Sequence, residues 1–249
     1  MSTIDDQVAE KKAELDKLRP LTRASSDALA QWYDVELTYT SNAIEGNTLT
    51  RSETAIVLEK GITVSGKPLR DHMEALGHKD ALDYIHTLAQ HNKEIREIDI
   101  RGIHNLVVGR SDPEHAGSYS KHQRIISGSS LLLPSPAEIG PLMSDFGIWL
   151  SKAHPSAETA FAAHEKLVTI HPFTDGNGRT ARLLMNLILF KVGYPPVVIG
   201  PEQRKDYIDG LEAWQLRKDI EPYRKFMTAR LEASLDHHLS FLQQALKPG

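Results

Sequence analysis

The chain has 249 residues, 40% hydrophobic and 25% charged, with a formal net charge of −4 and no cysteine. That composition suits a soluble globular chain large enough to bury its own core, and it excludes disulfides, thiol catalysis and a cysteine-rich zinc site. An acidic balance argues against a nucleic-acid partner; with no apolar run near the roughly 20 residues of a membrane span and a polar start, MSTIDDQVAEKKAELDKL, that lacks a signal-peptide core, a cytoplasmic protein without a membrane partner is expected.

Residues 5–19 are charged and weakly amphipathic, and predict a surface helix ending near Pro20. Ser26 reads as the N-cap of a second helix. Its Leu29, Tyr33 and Leu37 fall at i, i+4, i+8 on one face, and it runs to Glu45 before Gly46 stops it. Thr50 and Glu53 have capping-box spacing, so a third helix starts there and ends at Gly61. After the loop at 64–68, residues 70–91 and 98–109 read as helices. Residues 111–136 are rich in Ser, Gly and Pro, and HQRIISGSSLLL (122–133) sets two short extended arms around a Ser-Gly turn, which predicts a β-hairpin. Helices resume at 137–152, 156–170, 178–192, 201–215 and 221–246. The expected class is all-α, a helical bundle with one hairpin excursion and no linker that divides it.

The stretch HPFTDGNGRTAR, residues 171–182, carries the chemistry. Pro172 disfavours the α conformation of the residue before it, so the preceding helix should stop at His171, beside a loop. Gly176, Asn177 and Gly178 can turn successive backbone N–H groups one way, forming an anion nest that runs into a helix N-terminus. Arg179 and Arg182 follow three apart on one helical face, and two guanidiniums above a nest suit a polyphosphate. Asp175, just before the nest, would repel phosphate oxygens unless a cation bridges them, as Mg²⁺ does with few protein ligands. There is neither a G-x-x-x-x-G-K-S/T loop nor a strand-borne dinucleotide fingerprint, and HEKLV at 164–168 lacks the second histidine of a zinc-protease helix.

This stretch resembles the signature of the Fic (filamentation induced by cAMP) family, H-P-F-x-D/E-G-N-G-R-x-x-R, at every fixed position. SNAIEGN at 41–47 resembles that family's inhibitory motif, S/T-x-x-x-E-G/N, on Ser41, Glu45 and Gly46. The likeness runs from about residue 30 to 230. It implies a Fic-type helical bundle with a small β-hairpin flap over the active site. Residues 1–65 would then hold N-terminal helices including an inhibitory helix at about 26–46. Residues 66–230 would form the catalytic core with the flap at about 118–134, and 231–249 a C-terminal helix. The implied activity moves AMP from ATP to a Ser, Thr or Tyr hydroxyl of a target protein docked along the flap. His171 would be the general base and Asp175 the Mg²⁺ ligand, with Mn²⁺ as an alternative. Gly176, Asn177 and Gly178 would form the anion hole, Arg179 and Arg182 would contact phosphate, and Tyr207, in EQRKDY, the nucleoside. Glu45 would pair with Arg182 and block the γ-phosphate, as in the class with its inhibitory helix in the same chain.

One departure stands out. Where the family often has arginine after the aromatic residue of G-x-Y/F-R, this chain has Ser120, with Lys121 and Arg124 as substitutes in reach. Two further readings stay open beside autoinhibited transfer. One is removal of AMP by the same site, with Glu45 activating water; the other is a non-catalytic nucleotide-binding regulator. Self-modification is open as well, and the last helix is long enough to dock in a homodimer.

Overall fold

The computed structural model describes residues 6–91, 93–126 and 128–245. Among the described residues ten α-helices follow one another: α1 (Asp6–Lys17), α2 (Arg23–Ile44), α3 (Arg51–Lys60), α4 (Leu69–Gln90), α5 (Glu97–Gly109), α6 (Pro136–Lys152), α7 (Ala157–Ile170), α8 (Asn177–Lys191), α9 (Arg204–Arg217) and α10 (Glu221–Ala245). Every sequence-predicted helix is present among them. α2 starts one turn earlier than Ser26, because Thr22 takes the N-cap and accepts the Ser25 N–H at 3.2 Å. The capping box is formed as read, with Thr50 Oγ accepting from Glu53 N and Glu53 accepting from Thr50 N. α10 is described to residue 245, so the last position of the expected helix and the tail lie outside the described residues.

α8 is the axis of the bundle. From Thr180 to Leu189 every residue is buried, and α8 packs against α7, α4 and α5. A helix buried on every side over that span sits in the interior. α2 crosses its N-terminal end, while α9 and α10 pair with each other, and α1 lies on α10. No described helix is long and apolar enough to cross a membrane.

The hairpin expectation needs correction, since the described residues of 118–134 form no strand. The turn is there: Ser129 N donates to Ile126 O at 3.1 Å, and Gly128 takes φ 83°. Its arms, however, are tied by a side chain, Gln123 Nε2 donating to Leu133 O at 3.1 Å, and not by a backbone ladder. Ile125 and Leu132 project into solvent at 86% and 92% exposure. Two strands alone are marginal without a third strand or an apolar bed beneath them.

Two fully buried histidines tie this core to pH. His164 is held between the hydroxyls of Tyr207 and Tyr223, both at 2.8 Å, and His78 touches Thr38 Oγ1 at 3.2 Å. Burial, with the Arg182 charge nearby, pushes both imidazoles down to about 3. Above the ordinary histidine range both folded and unfolded chains are neutral here. Below it the unfolded chain takes protons that the folded chain refuses, so stability falls by up to about 1.4 kcal/mol per pH unit per ring. The unfolding temperature should therefore drop steadily as pH falls from 6.5 to 4.5. A calorimetric series that stays flat over that window would show that the rings accept protons in place.

Candidate functional site

The site gathers where the end of α2, the start of α4 and the α7–α8 loop meet. His171 caps α7 in the left-handed region, φ 52° and ψ 55°, with its N–H on Leu167 O at 2.9 Å. Pro172 forbids further helix, and a bulky residue at positive φ is uncommon enough to mark a constrained position. The ring's Nδ1 lies 3.3 Å from Val168 O. Burial, then the Arg124 charge, pushes the imidazole down to about 4, so it is a neutral base at neutral pH.

The loop that follows is fixed from within. Asn177 Oδ1 accepts from Phe173 N at 2.9 Å, while its Nδ2 donates to Phe173 O at 2.8 Å. Its amide therefore holds the loop, which leaves only its backbone N–H for a nest. Gly176 sits at φ 73°, and a Cβ there would meet Val108 Cγ1 at 2.7 Å, so no other residue fits. A Cβ on Gly178 would strike the Glu45 carboxylate, which lies over the first turn of α8.

Both arginines are buried. Arg179 is 1% exposed and reaches Asn42 Oδ1, Glu74 Oε1 and Asp175 Oδ1, each at 3.4 Å. Arg182 donates from Nε to Ser41 Oγ at 3.0 Å, and from Nη2 to Ser41 O at 2.9 Å and Glu45 Oε1 at 2.7 Å. Asp175 accepts from Gly176 N at 2.6 Å and pairs with Arg70 at 2.8 Å. Burial works against its charge, but Arg179, the Gly176 N–H and Arg70 outweigh it and hold the carboxyl below the ordinary range. No group of three or more His, Cys, Asp or Glu among the described residues could hold a metal unaided. A single ionised, half-exposed carboxylate does suit Mg²⁺ that keeps its remaining ligands from phosphate and water.

The structure thus brings Ser41, Glu45, His171, Asp175, the 176–178 turn, Arg179 and Arg182 to one place. Glu45, His171, Gly178, Arg182 and Tyr207 line one cavity of about 180 Å³, with Ile126 of the flap segment on its rim. Tyr207 is 2% exposed, and its hydroxyl is engaged by buried partners. Arg182 Nη1 donates to Tyr207 OH at 3.5 Å, Tyr207 OH meets His164 Nε2, His164 Nδ1 meets Tyr223 OH, and Tyr223 OH donates to Phe161 O at 2.9 Å. Donor follows acceptor along this chain only if His164 is neutral with its proton on Nδ1. Ser120, at the family's arginine position, is buried and donates its N–H to Pro172 O at 2.9 Å.

Sequence reasoning missed three supports. His104 accepts the Gly117 N–H on Nδ1 at 3.0 Å, donates from Nε2 to Asp175 O at 3.0 Å and stacks on Phe173 at 3.7 Å. Glu74 and Arg70, on the first turns of α4, brace Arg179 and Asp175. Asn47, two residues beyond Glu45, donates to Glu74 Oε2 at 3.1 Å. Only the spacing of Arg70 and Glu74, i and i+4, offered a signal.

Comparison with known proteins agrees with the geometry. The Fic/DOC family profile matches residues 94–189. The chain is 39% identical over 244 residues to the protein adenylyltransferase Fic of Nematostella vectensis, an alignment covering 94% of this chain and 55% of that protein. It is 40% identical over 223 residues to the one from Drosophila virilis, covering 88% and 44%. The chain thus spans about half the length of these curated relatives. Among solved structures, Fic-1 from C. elegans superposes with a TM-score of 0.83 at 33% identity, over 95% of this chain and 70% of that one. A Fic-domain signalling protein from Bacteroides thetaiotaomicron gives 0.88 at 27% identity, over 96% and 98%.

The loop analysis has a direct test. Asn177→Ala strands the buried N–H of Phe173 and leaves the Phe173 carbonyl to Arg124 alone; it should cost about 1–3 kcal/mol, lowering the unfolding temperature by roughly 3–8 °C. Differential scanning calorimetry checks it, and an unchanged transition would mean the amide does not hold the loop.

Proposed function

From its membership of the Fic/DOC family, which the relatives and solved structures establish, we propose that this chain is an autoinhibited protein adenylyltransferase. It moves AMP from ATP to a Ser, Thr or Tyr hydroxyl of a protein target that docks along the 118–134 segment. The observation that carries the reading is the Arg182–Glu45 pair at 2.7 Å, braced by Ser41. A guanidinium at the nest is what a γ-phosphate needs, and here a carboxylate already occupies it. The cysteine-free composition suits a reducing compartment, in keeping with a cytoplasmic location.

His171 takes the proton of the target hydroxyl as its oxygen attacks the α-phosphorus. The new oxygen–phosphorus bond forms as the bond to the β-phosphate oxygen breaks, and pyrophosphate leaves with the electron pair. Transfer of this kind asks for positioning and charge neutralisation more than for covalent help. The N–H groups of Gly176, Asn177 and Gly178 would receive phosphate oxygens, and Arg179 and Arg182 would neutralise the tail. Asp175 would hold Mg²⁺, or Mn²⁺, which would supply further positive charge to the phosphates.

Removal of AMP by the same site is the second reading. Glu45 and His171 face one cavity, so the carboxylate has access to a water beside a modified hydroxyl. Release of AMP from a pre-labelled target only while Glu45 is present would favour it.

Glu45 lies 39% exposed, so its hold on Arg182 is discounted for solvent to about 1–2 kcal/mol. Glu45→Gly should raise AMP incorporation about tenfold, at roughly 1.4 kcal/mol per tenfold. Arg182→Ala should not, because it removes the phosphate clamp together with the inhibitory pair. Mass-tagged ATP decides this, and equal labelling by wild type and Glu45→Gly would end the autoinhibition model.

His171→Ala should abolish transfer, by about 10²–10⁴ in rate, while calorimetry still finds ATP bound. Since a depressed imidazole is a base only when unprotonated, the acid limb of the rate should descend near pH 4. In a kinetic pH series on the Glu45→Gly chain, a midpoint near 6.5 would mean that the buried environment is lost in the working complex.

A further inference from the structure

Arg124 is a charged residue of this site to which the proposed mechanism gives no task. It stands in the 118–134 segment, between Gln123 and the exposed Ile125. Its Nη1 donates to Phe173 O at 2.9 Å, two residues past the base, and shares that carbonyl with Asn177. Its Nε and Nη2 are buried, and neither has an acceptor among the described residues.

The geometry of a guanidinium gives that vacancy meaning. Nε–H and Nη2–H point the same way and form the side-on fork that grips two oxygens of a carboxylate or phosphate. Two carboxylates stand nearby, close enough for their charges to act on His171, as Arg124's does. Neither takes the fork: Glu45 is committed to Arg182, and Asp175 to Arg70 and Arg179. Leaving donors of a cation buried and unpaired is destabilising, so this pose is poised to accept an oxyanion. Little else holds it there, since the segment forms no ladder and is tied by Gln123.

The position of the base identifies that oxyanion. A general base lies within about 3 Å of the oxygen whose proton it takes, and the attacked phosphorus must touch that same oxygen. A cation latched two residues from His171 is therefore beside the reacting phosphoryl group, not the far end of the triphosphate where Arg182 lies. We propose that Arg124 is a catalytic residue, its Nε/Nη2 fork receiving the non-bridging oxygens of the α-phosphoryl group as pyrophosphate leaves. This rests on the adenylyl-transfer reading, and adds to the nest a charged donor that comes down with the flap segment.

The test uses the full Glu45→Gly chain with ATP and Mg²⁺. It reads self-labelling by intact mass, AMP released to water by chromatography, and ATP affinity by calorimetry. Arg124→Gln keeps a donor for Phe173 O but loses the fork; Arg124→Lys keeps the charge without it. Both rates should fall together, by about 10²-fold for glutamine and less for lysine, with ATP affinity changed less than about threefold. Rates equal to the parent in both variants would overturn the proposal and leave adenylyl transfer standing. So would loss of self-labelling with AMP release to water intact, because Arg124 would then serve the acceptor. If the Glu45→Gly chain itself neither binds nor turns over ATP, the adenylyl-transfer reading fails, and this proposal with it. The lysine variant guards against misfolding: if glutamine alone lowers both the rates and the unfolding temperature while lysine matches the parent, Arg124 is only a latch.

Discussion

Two guanidiniums buried at the positive end of one helix are the constraint around which this protein is arranged. Arg179 and Arg182 lie on the first turns of α8, at 1% and 5% exposure, where the helix dipole already favours anions. An uncompensated buried cation costs several kcal/mol, so neighbouring elements must deliver acceptors to that spot. α2 arrives with Asn42, Ser41 and Glu45, α4 with Glu74, and the loop itself with Asp175. The crossing of α2 over the end of α8 is thus an electrostatic requirement as much as an apolar contact, and the Ser41–Glu45 helix end has a structural role.

This explains what could be read from the sequence. The bundle was legible because its helices announce themselves through periodicity, caps and glycine stops: Thr50 with Glu53, Gly61, and Pro172 after His171. The site was legible because its parts are nearly contiguous, Asp175 through Arg182 within eight positions, and because its second half, Ser41 to Gly46, lies on a single helix end. What was missed is held by long-range contacts with no local pattern. His104 is one histidine on an amphipathic helix, and nothing in its neighbours predicts that it will join Gly117 to the Asp175 carbonyl. Arg70 and Glu74 look like an ordinary solvated i, i+4 pair until α4 is docked. Tyr207 was expected at the nucleoside, and its hydroxyl belongs to a buried relay through His164 and Tyr223 that no local pattern announces.

The hairpin was the main misreading, and the reason is energetic. Its sequence has the right alternation and a glycine turn, but alternation specifies a strand only when one face has something to bury against. Ile125 and Leu132 have no such bed here. The segment keeps the turn and loses the ladder.

The two arginines are compensated unequally, and this asymmetry bears on regulation. Arg179 is matched by Glu74, itself only 11% exposed in its side chain and fixed by Arg70 and Asn47. Glu74 and Arg179 are both buried, so this contact is shielded from solvent although Arg70 is not. Arg182 is matched by Glu45, which hangs from the last residue before Gly46 with 39% of its side chain in solvent. A carboxylate at the lip of a cavity can leave for water at low cost, and an incoming phosphate would carry the negative charge that Arg182 still requires. In the proposed reading the same helix end therefore both stabilises the empty protein and inhibits it. Asn47 joins this helix end to Glu74, and through it to Arg179 and Arg70, so a signal that shifts the end of α2 would be felt at both arginines. An effector that bound only to α2 would need to differ by just the 1–2 kcal/mol of the Glu45 contact between the two positions to change the chain's output about tenfold.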